Sequence, residues 1–171
     1  MSTFDFTGLN TADVVNPTEP LQGSWLHKYS CVAYATLDLT ALNSTTNITL
    51  GTGTVGPTIL NTTDIYKLLA IPADTLVQVV AIAVVTPAVG TAFTFSVYDS
   101  GGTNTFISAF DCTQAAGTTT LSVLGTGGIL VAVNSGVFYS SANYIALKAA
   151  TVTSVTAGPK VKIFALNSPF A

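Results

Sequence analysis

Residues 75–102 read TLVQVVAIAVVTPAVGTAFTFSVYDSGG, and the two halves of this stretch follow different patterns. Thr75–Val85 is apolar on both faces apart from Thr75 and Gln78. Its eleven residues fall well short of the about 20 that a membrane helix needs. It reads as a strand running through the middle of a core. Past Pro87 and Gly90 the pattern becomes alternation, with Phe93, Phe95 and Val97 set against Thr94, Ser96 and Tyr98. Period two marks a strand with one buried face. Asp99-Ser-Gly-Gly closes it with turn chemistry. Two such strands in succession place the chain in the all-β class.

The same reading extends in both directions. WLHKYSCVAYATLDL, residues 25–39, sends His27, Tyr29, Cys31, Ala33, Ala35 and Leu37 one way and Lys28, Ser30, Thr36 and Asp38 the other. Residues 41–63, rich in Gly, Thr and Asn, predict one short strand between loops. In residues 64–71, Ile65, Leu68 and Leu69 would also suit a short helix capped by Thr63. A strand is the better reading, with Pro72 and Asp74 turning the chain. TFISAFDC, TTTLSVLG, GILVAV, VFYS, NYIALKA and KVKIFAL follow as short strands, punctuated by GTGG, NSG, SAN and AGP. Eight to ten strands over about 150 residues fit a two-sheet β-sandwich of jelly-roll type better than a seven-stranded immunoglobulin sandwich. The expected organisation is an extended N-terminal arm at 1–22 and a β-sandwich domain at 23–171.

Composition narrows the function. Apolar residues make up 49% of the chain and charged residues 8%, against about 25% charged in ordinary soluble proteins. Serine and threonine fill the gap. Threonine is β-branched and keeps an outward sheet face wet without charge. Such a surface suits a protein packed among copies or partners, because net charge is what keeps proteins apart. The net charge is −3, carried with five lysines and no arginine. Lacking the planar fork that grips phosphate and base edges, the chain is not expected to bind nucleic acid. MSTFDF has neither the basic nor the apolar segment of a secretory signal, and no membrane partner is expected.

Few residues offer chemistry. His27 is the one histidine, and its position on an apolar strand face beside Trp25 and Tyr29 reads as core or interface. No G-x-S-x-G elbow is present. Cys31 and Cys112 lie far apart in sequence without metal-ligand spacing, so free buried thiols are expected. Asp99, Asn104 and Asp111 would approach one another across a hairpin, but their spacing matches no calcium loop. GTGTVG at 51–56 fits the dinucleotide pattern in letters only, since the sequence after it reads as extended rather than helical. Trp25, Tyr98, Tyr139 and Tyr144 would make a carbohydrate platform if they stood exposed together; core packing is the competing reading. No enzyme activity, cofactor, metal or small-molecule substrate is expected.

From Asp64 onward the chain resembles small virion proteins of tailed bacteriophages. The residues that carry the resemblance are Ile71-Pro72-Ala73-Asp74-Thr75, Thr86-Pro87, Gly90-Thr91, Val97–Gly101, Phe106–Gly117 and the closing TAGPKVKIFA. Asp74 stands where that family's IPAGT turn has glycine. The resemblance implies a capsid cement or decoration protein. It would be made in the host cytoplasm, bind the outer surface of the head as a homotrimer, and tie neighbouring major capsid proteins together. A tail or fibre module that attaches to host glycans is the alternative, and a small hydrolase built on His27 a more distant one. Phe4, Phe6, Leu9, Val14, Val15, Leu21 and Trp25 are expected to form the partner interface, because an aperiodic apolar arm needs a neighbour's groove or sheet edge to lie on.

Overall fold

The computed structural model describes residues 3–5, 31–49, 56–100, 102–121 and 136–169. Within them the chain is all-β and forms two sheets: β1 (Thr3–Asp5), β2 (Cys31–Asp38), β3 (Ile65–Ile71), β4 (Thr75–Thr86), β5 (Ala92–Asp99), β6 (Thr105–Asp111), β7 (Thr119–Leu121), β8 (Val137–Tyr139), β9 (Asn143–Thr153) and β10 (Lys160–Pro169). One sheet has the order β1-β3-β9-β5-β6. The other has the order β2-β10-β4-β7, with β8 also pairing β4. The antiparallel pairs are nested: β2 with β10, β3 with β9, β4 with β7 and β5 with β6. The arrangement is that of a long hairpin rolled into two layers.

The alternation seen in sequence sets the layers. Phe93, Phe95 and Val97 of β5 are fully buried between the sheets. Phe95 meets Phe93 edge-on at 4.9 Å and Tyr66 of β3 at 5.9 Å between ring centroids, the geometry that aromatic quadrupoles favour. From the opposite sheet, Val80, Ile82 and Val84 of β4, Ala35 and Leu37 of β2, and Val161 and Ile163 of β10 complete the core. β4 lies between β10 and its shorter neighbours β7 and β8, central in its sheet, but only one of its two apolar faces meets the core. Residues 65–71 are a strand, and the capped helix is excluded. Asp74, which turns the chain into β4, has φ 54°, a conformation that glycine adopts at least cost.

The short strand expected within 41–63 is not found among the described residues, and 50–55 lie outside them. Residues 41–49 and 56–63 form no strand. Leu42 and Leu60 are buried as strand residues would be, but their amides donate to isolated carbonyls outside any ladder, those of Leu39 and Asn43. The Asn43 side chain accepts from the amides of Thr45 and Thr46 at 2.9 and 2.6 Å. Short polar side chains thus take the hydrogen bonds a ladder would need. Of GILVAV and the second half of TTTLSVLG nothing is described.

Gly158 lets the loop before β10 press against the end of β2. Its amide donates to the Leu42 carbonyl at 2.8 Å. A Cβ at this position would run into the Leu39 carbonyl oxygen and come within 2.9 Å of Leu39 Cβ. Gly158→Ala is therefore expected to cost about 1–3 kcal/mol through overpacking, read as a lower urea midpoint with an unchanged denaturant slope.

Candidate functional site

Among the described residues no three His, Cys, Asp or Glu side chains gather as a metal site would require. Cys112 is a free, buried thiol, and burial, with nearby Asp111 adding to it, pushes its pKa well up, which makes it unreactive. Asp99 and Asp111 each organise a separate turn. Asp111 accepts from the Thr113 amide and hydroxyl and from Gln114 Nε2. Asp99 accepts from the amides of Thr103 and Asn104, from Asn104 Nδ2 at 2.6 Å, and from the Tyr139 hydroxyl at 3.2 Å. These are structural contacts.

What stands out is the outer face of the β2–β10–β4 sheet. Alternation with the core sends Val32, Tyr34, Thr36 and Asp38 of β2 outward, together with Lys160, Lys162, Phe164 and Leu166 of β10. The register then lines these residues up in rows. Val32 lies beside Leu166 and Val79, while Tyr34 lies beside Phe164, Ala81 and Leu121. Leu76 and Phe138 extend the apolar area at one end. At the other end the rows become Thr36–Lys162–Ala83 and Asp38–Lys160–Thr86, closed by a Lys160–Asp38 ion pair at 3.0 Å.

Val32 is 62% exposed, Tyr34 46%, Leu121 61% and Phe138 52%. Scattered exposed apolar side chains are ordinary, but adjoining ones spread over one sheet face mark an interaction surface. Lys162 holds its ammonium 4.6 Å from the Tyr34 ring centroid and 5.5 Å from that of Phe164, so the aromatic part of the face sits against a fixed charge. Ala81, between Phe164 and Leu121, leaves a dip between larger neighbours.

The opposite sheet presents a different exterior. A cavity of about 460 Å³ runs across it from Ile65 on β3, past Lys148 on β9 and Ser96 and Tyr98 on β5, to Thr105 and Ser108 on β6. Beside it, Lys67 places its ammonium 4.3 Å from the Tyr144 ring centroid.

The sequence-derived candidates divide accordingly. Phe4 lies in β1, whose backbone pairs in parallel with β3 of this chain, Phe4 opposite Tyr66. Phe6, Leu9, Val14, Val15, Leu21 and Trp25 fall outside the described residues, as does His27. The four-aromatic carbohydrate platform does not form as a unit. Tyr139 is buried against Asp99, while Tyr98 and Tyr144 share the outer side of the β3–β9–β5–β6 sheet. Sequence reasoning missed the apolar face, although Ile163–Leu166 in β10 is apolar at consecutive positions, as a strand covered on both sides would be.

Solved structures include chains of similar fold. A chain of the capsid of Ralstonia phage GP4 superposes with a TM-score of 0.56 at 12% identity, covering 99% of each chain. The two share a fold. A chain from the acid-stable capsid of Helicobacter pylori bacteriophage KHP30 superposes with a TM-score of 0.49 at 16% identity, over 82% of this chain and 88% of that one. No known family profile matches the sequence, and no curated protein is a detectable relative.

Proposed function

We propose that this protein is a structural component of a bacteriophage virion, a cement protein that sits on the outer surface of the head and clamps neighbouring major capsid proteins together. The observation that carries the reading is the uncovered apolar face of β2–β10–β4 on a chain with very little charge. An interface core is depleted in charge and enriched in aromatic residues, and Tyr34, Phe164 and Phe138 supply those here. The fold shared along its whole length with a chain of a phage capsid supports the setting, and so does the sequence resemblance. Cross-strand hydrogen bonds and a largely apolar core, crossed by the Asp99–Tyr139 bond, give such a clamp stiffness without chemistry.

We read the nested strand pairs as a jelly roll. Counting β2, β3, β4, β5, β6, β7, β9 and β10 as one to eight, the sheets run 1-8-3-6 and 2-7-4-5. Beyond Thr3–Asp5, which pair with β3 of this chain, the arm at 1–22 is proposed to supplement the apolar face by reaching the shell or another copy, and the assembly unit is a homotrimer. The deciding measurement is copy number in purified particles, by quantitative mass spectrometry against the major capsid protein. A cement protein is expected at a fixed ratio to that protein and in many copies. A handful of copies per particle would indicate a tail or vertex part, and absence from particles would end the reading altogether.

A further inference from the structure

The two broad faces of the sandwich point in opposite directions. If the proposed attachment holds, with the β2–β10–β4 face on the shell, the outer face of β3–β9–β5–β6 is turned away from the head. The cavity of about 460 Å³ lies there, within the range of roughly 300–1,000 Å³ typical of small-ligand sites. We infer that this cavity binds an acidic saccharide, with a sugar ring against Tyr98 and a carboxylate at Lys148.

Three features carry the assignment. The lining is hydroxyl-rich and uncharged apart from one cation: Ser96, Thr105 and Ser108 offer donors and acceptors, and Lys148 an ammonium. Among the described residues Lys148 has no ion-pair partner. In a chain of net charge −3 with five basic residues, an unpaired ammonium lining a concavity is a local attraction for an anion. The cross-strand register places Lys148 beside both Ile65 and Ser96, so cation and hydroxyl share one row of the sheet.

Tyr98 supplies the second feature. Its ring lines the cavity, and its hydroxyl is shielded from solvent with no hydrogen-bond partner. The hydroxyl therefore lies beneath the cavity wall, and it is the ring that is offered to a ligand, as a sugar-stacking face. Burial, with the nearby Tyr144 hydroxyl adding to it, pushes the Tyr98 pKa up to about 12, so the ring carries no charge at neutral pH. The third feature is chemical exclusion. Without arginine the site lacks the fork suited to phosphate, and a single lysine among hydroxyls suits a carboxylate-bearing sugar better.

The test is calorimetric titration of the full-length protein with trigalacturonic acid, with maltotriose and sodium sulfate as controls. Trigalacturonate is expected to bind saturably, and maltotriose at least about tenfold more weakly, the loss of one charged contact being worth roughly that factor. Lys148→Met should reduce trigalacturonate affinity about tenfold. Tyr98→Phe should weaken it less than Tyr98→Ser, which removes the ring, and all three variants should melt close to the parent. No saturable binding of either saccharide overturns the inference. Equal binding of maltotriose removes the acidic requirement and also overturns it. Sulfate binding that ignores Tyr98 leaves a bare cation only, and the saccharide site is then refuted as well.

The attachment reading is checked separately by loading the same variants onto heads. Lys148→Met is expected to occupy heads as the parent does. Loss of head occupancy by this variant, without saccharide binding by the parent, would make the cavity a protein contact and leave cementing intact. Saccharide binding by a protein that never joins heads would sink the cement reading and spare the site.

Discussion

Asp99→Ala is expected to destabilise the protein by about 3–5 kcal/mol, as breaking a buried charged network does. Asp99 is 3% exposed and ends β5 in one sheet. Its Oδ1 accepts the amides of Thr103 and Asn104 at 3.0 and 3.3 Å, which shapes the turn into β6. Its Oδ2 accepts Asn104 Nδ2 and, across the sandwich, the hydroxyl of Tyr139 on β8 in the other sheet. Alanine would strand those donors where water cannot replace the carboxylate. Tyr139→Phe removes one member and should cost about 1–2 kcal/mol. Asp99→Asn should fall between the two, because Asn104 and Tyr139 can each reorient to accept from the new amide. Urea unfolding of the two single variants and of the pair gives the coupling. Additive losses would mean that the Tyr139–Asp99 bond contributes nothing of its own. A loss below about 1 kcal/mol for Asp99→Ala would show that the turn is held by its backbone bonds alone.

Much of this architecture is legible in the chain because alternation is a local signal. Phe93, Phe95 and Val97 announce their burial by spacing, and so do Ala35 and Leu37. Asp99 reads as a corner because Ser and Gly residues follow it. Its reach to Tyr139 is not legible, since the partner lies 40 residues away and only the folded sheets bring the two together. Residues 41–49 and 56–63 mislead for a related reason. Buried Leu42 and Leu60 look like strand residues, and nothing in their spacing reveals that Asn43 will satisfy the neighbouring amides. Asp74 shows the reverse case, in which a turn survives the loss of its expected glycine because aspartate tolerates the left-handed conformation better than most residues.

The apolar face was hidden by a different ambiguity. A strand apolar on both sides is read as central to a core, which holds for the inward side of β4 and β10, yet Phe164, Leu166 and Val79 of these strands point away from it. Sequence cannot distinguish burial by the chain's own second layer from burial by another molecule. The cavity around Tyr98 and Lys148 was also beyond it. Four strands contribute to that cavity, and Tyr98 was weighed only beside other aromatics.

Val32→Glu combined with Leu121→Glu is expected to abolish attachment to the head while leaving the fold unchanged. Both side chains are more than half exposed. Exposed substitutions outside special contacts stay within about 0.5 kcal/mol, so melting should move by no more than a few degrees. The effect on assembly is of another order. Each carboxylate would be desolvated on docking without a cation to meet it, at a cost of several kcal/mol unless the interface stays open there. Val32 and Leu121 lie on different strands at opposite sides of the sheet, β2 and β7, far enough apart for their penalties to add. Even at about 1.4 kcal/mol each, the joint effect is a hundredfold loss of affinity. Adding the purified double variant to heads stripped of the parent protein, and measuring retention after sedimentation, reads that loss directly. Val32→Thr with Leu121→Thr supplies a β-branched shape without charge and should be retained far better. Parental occupancy by the double glutamate variant would mean that this face looks into solvent on the particle, and attachment would then have to come from the arm or from the opposite sheet.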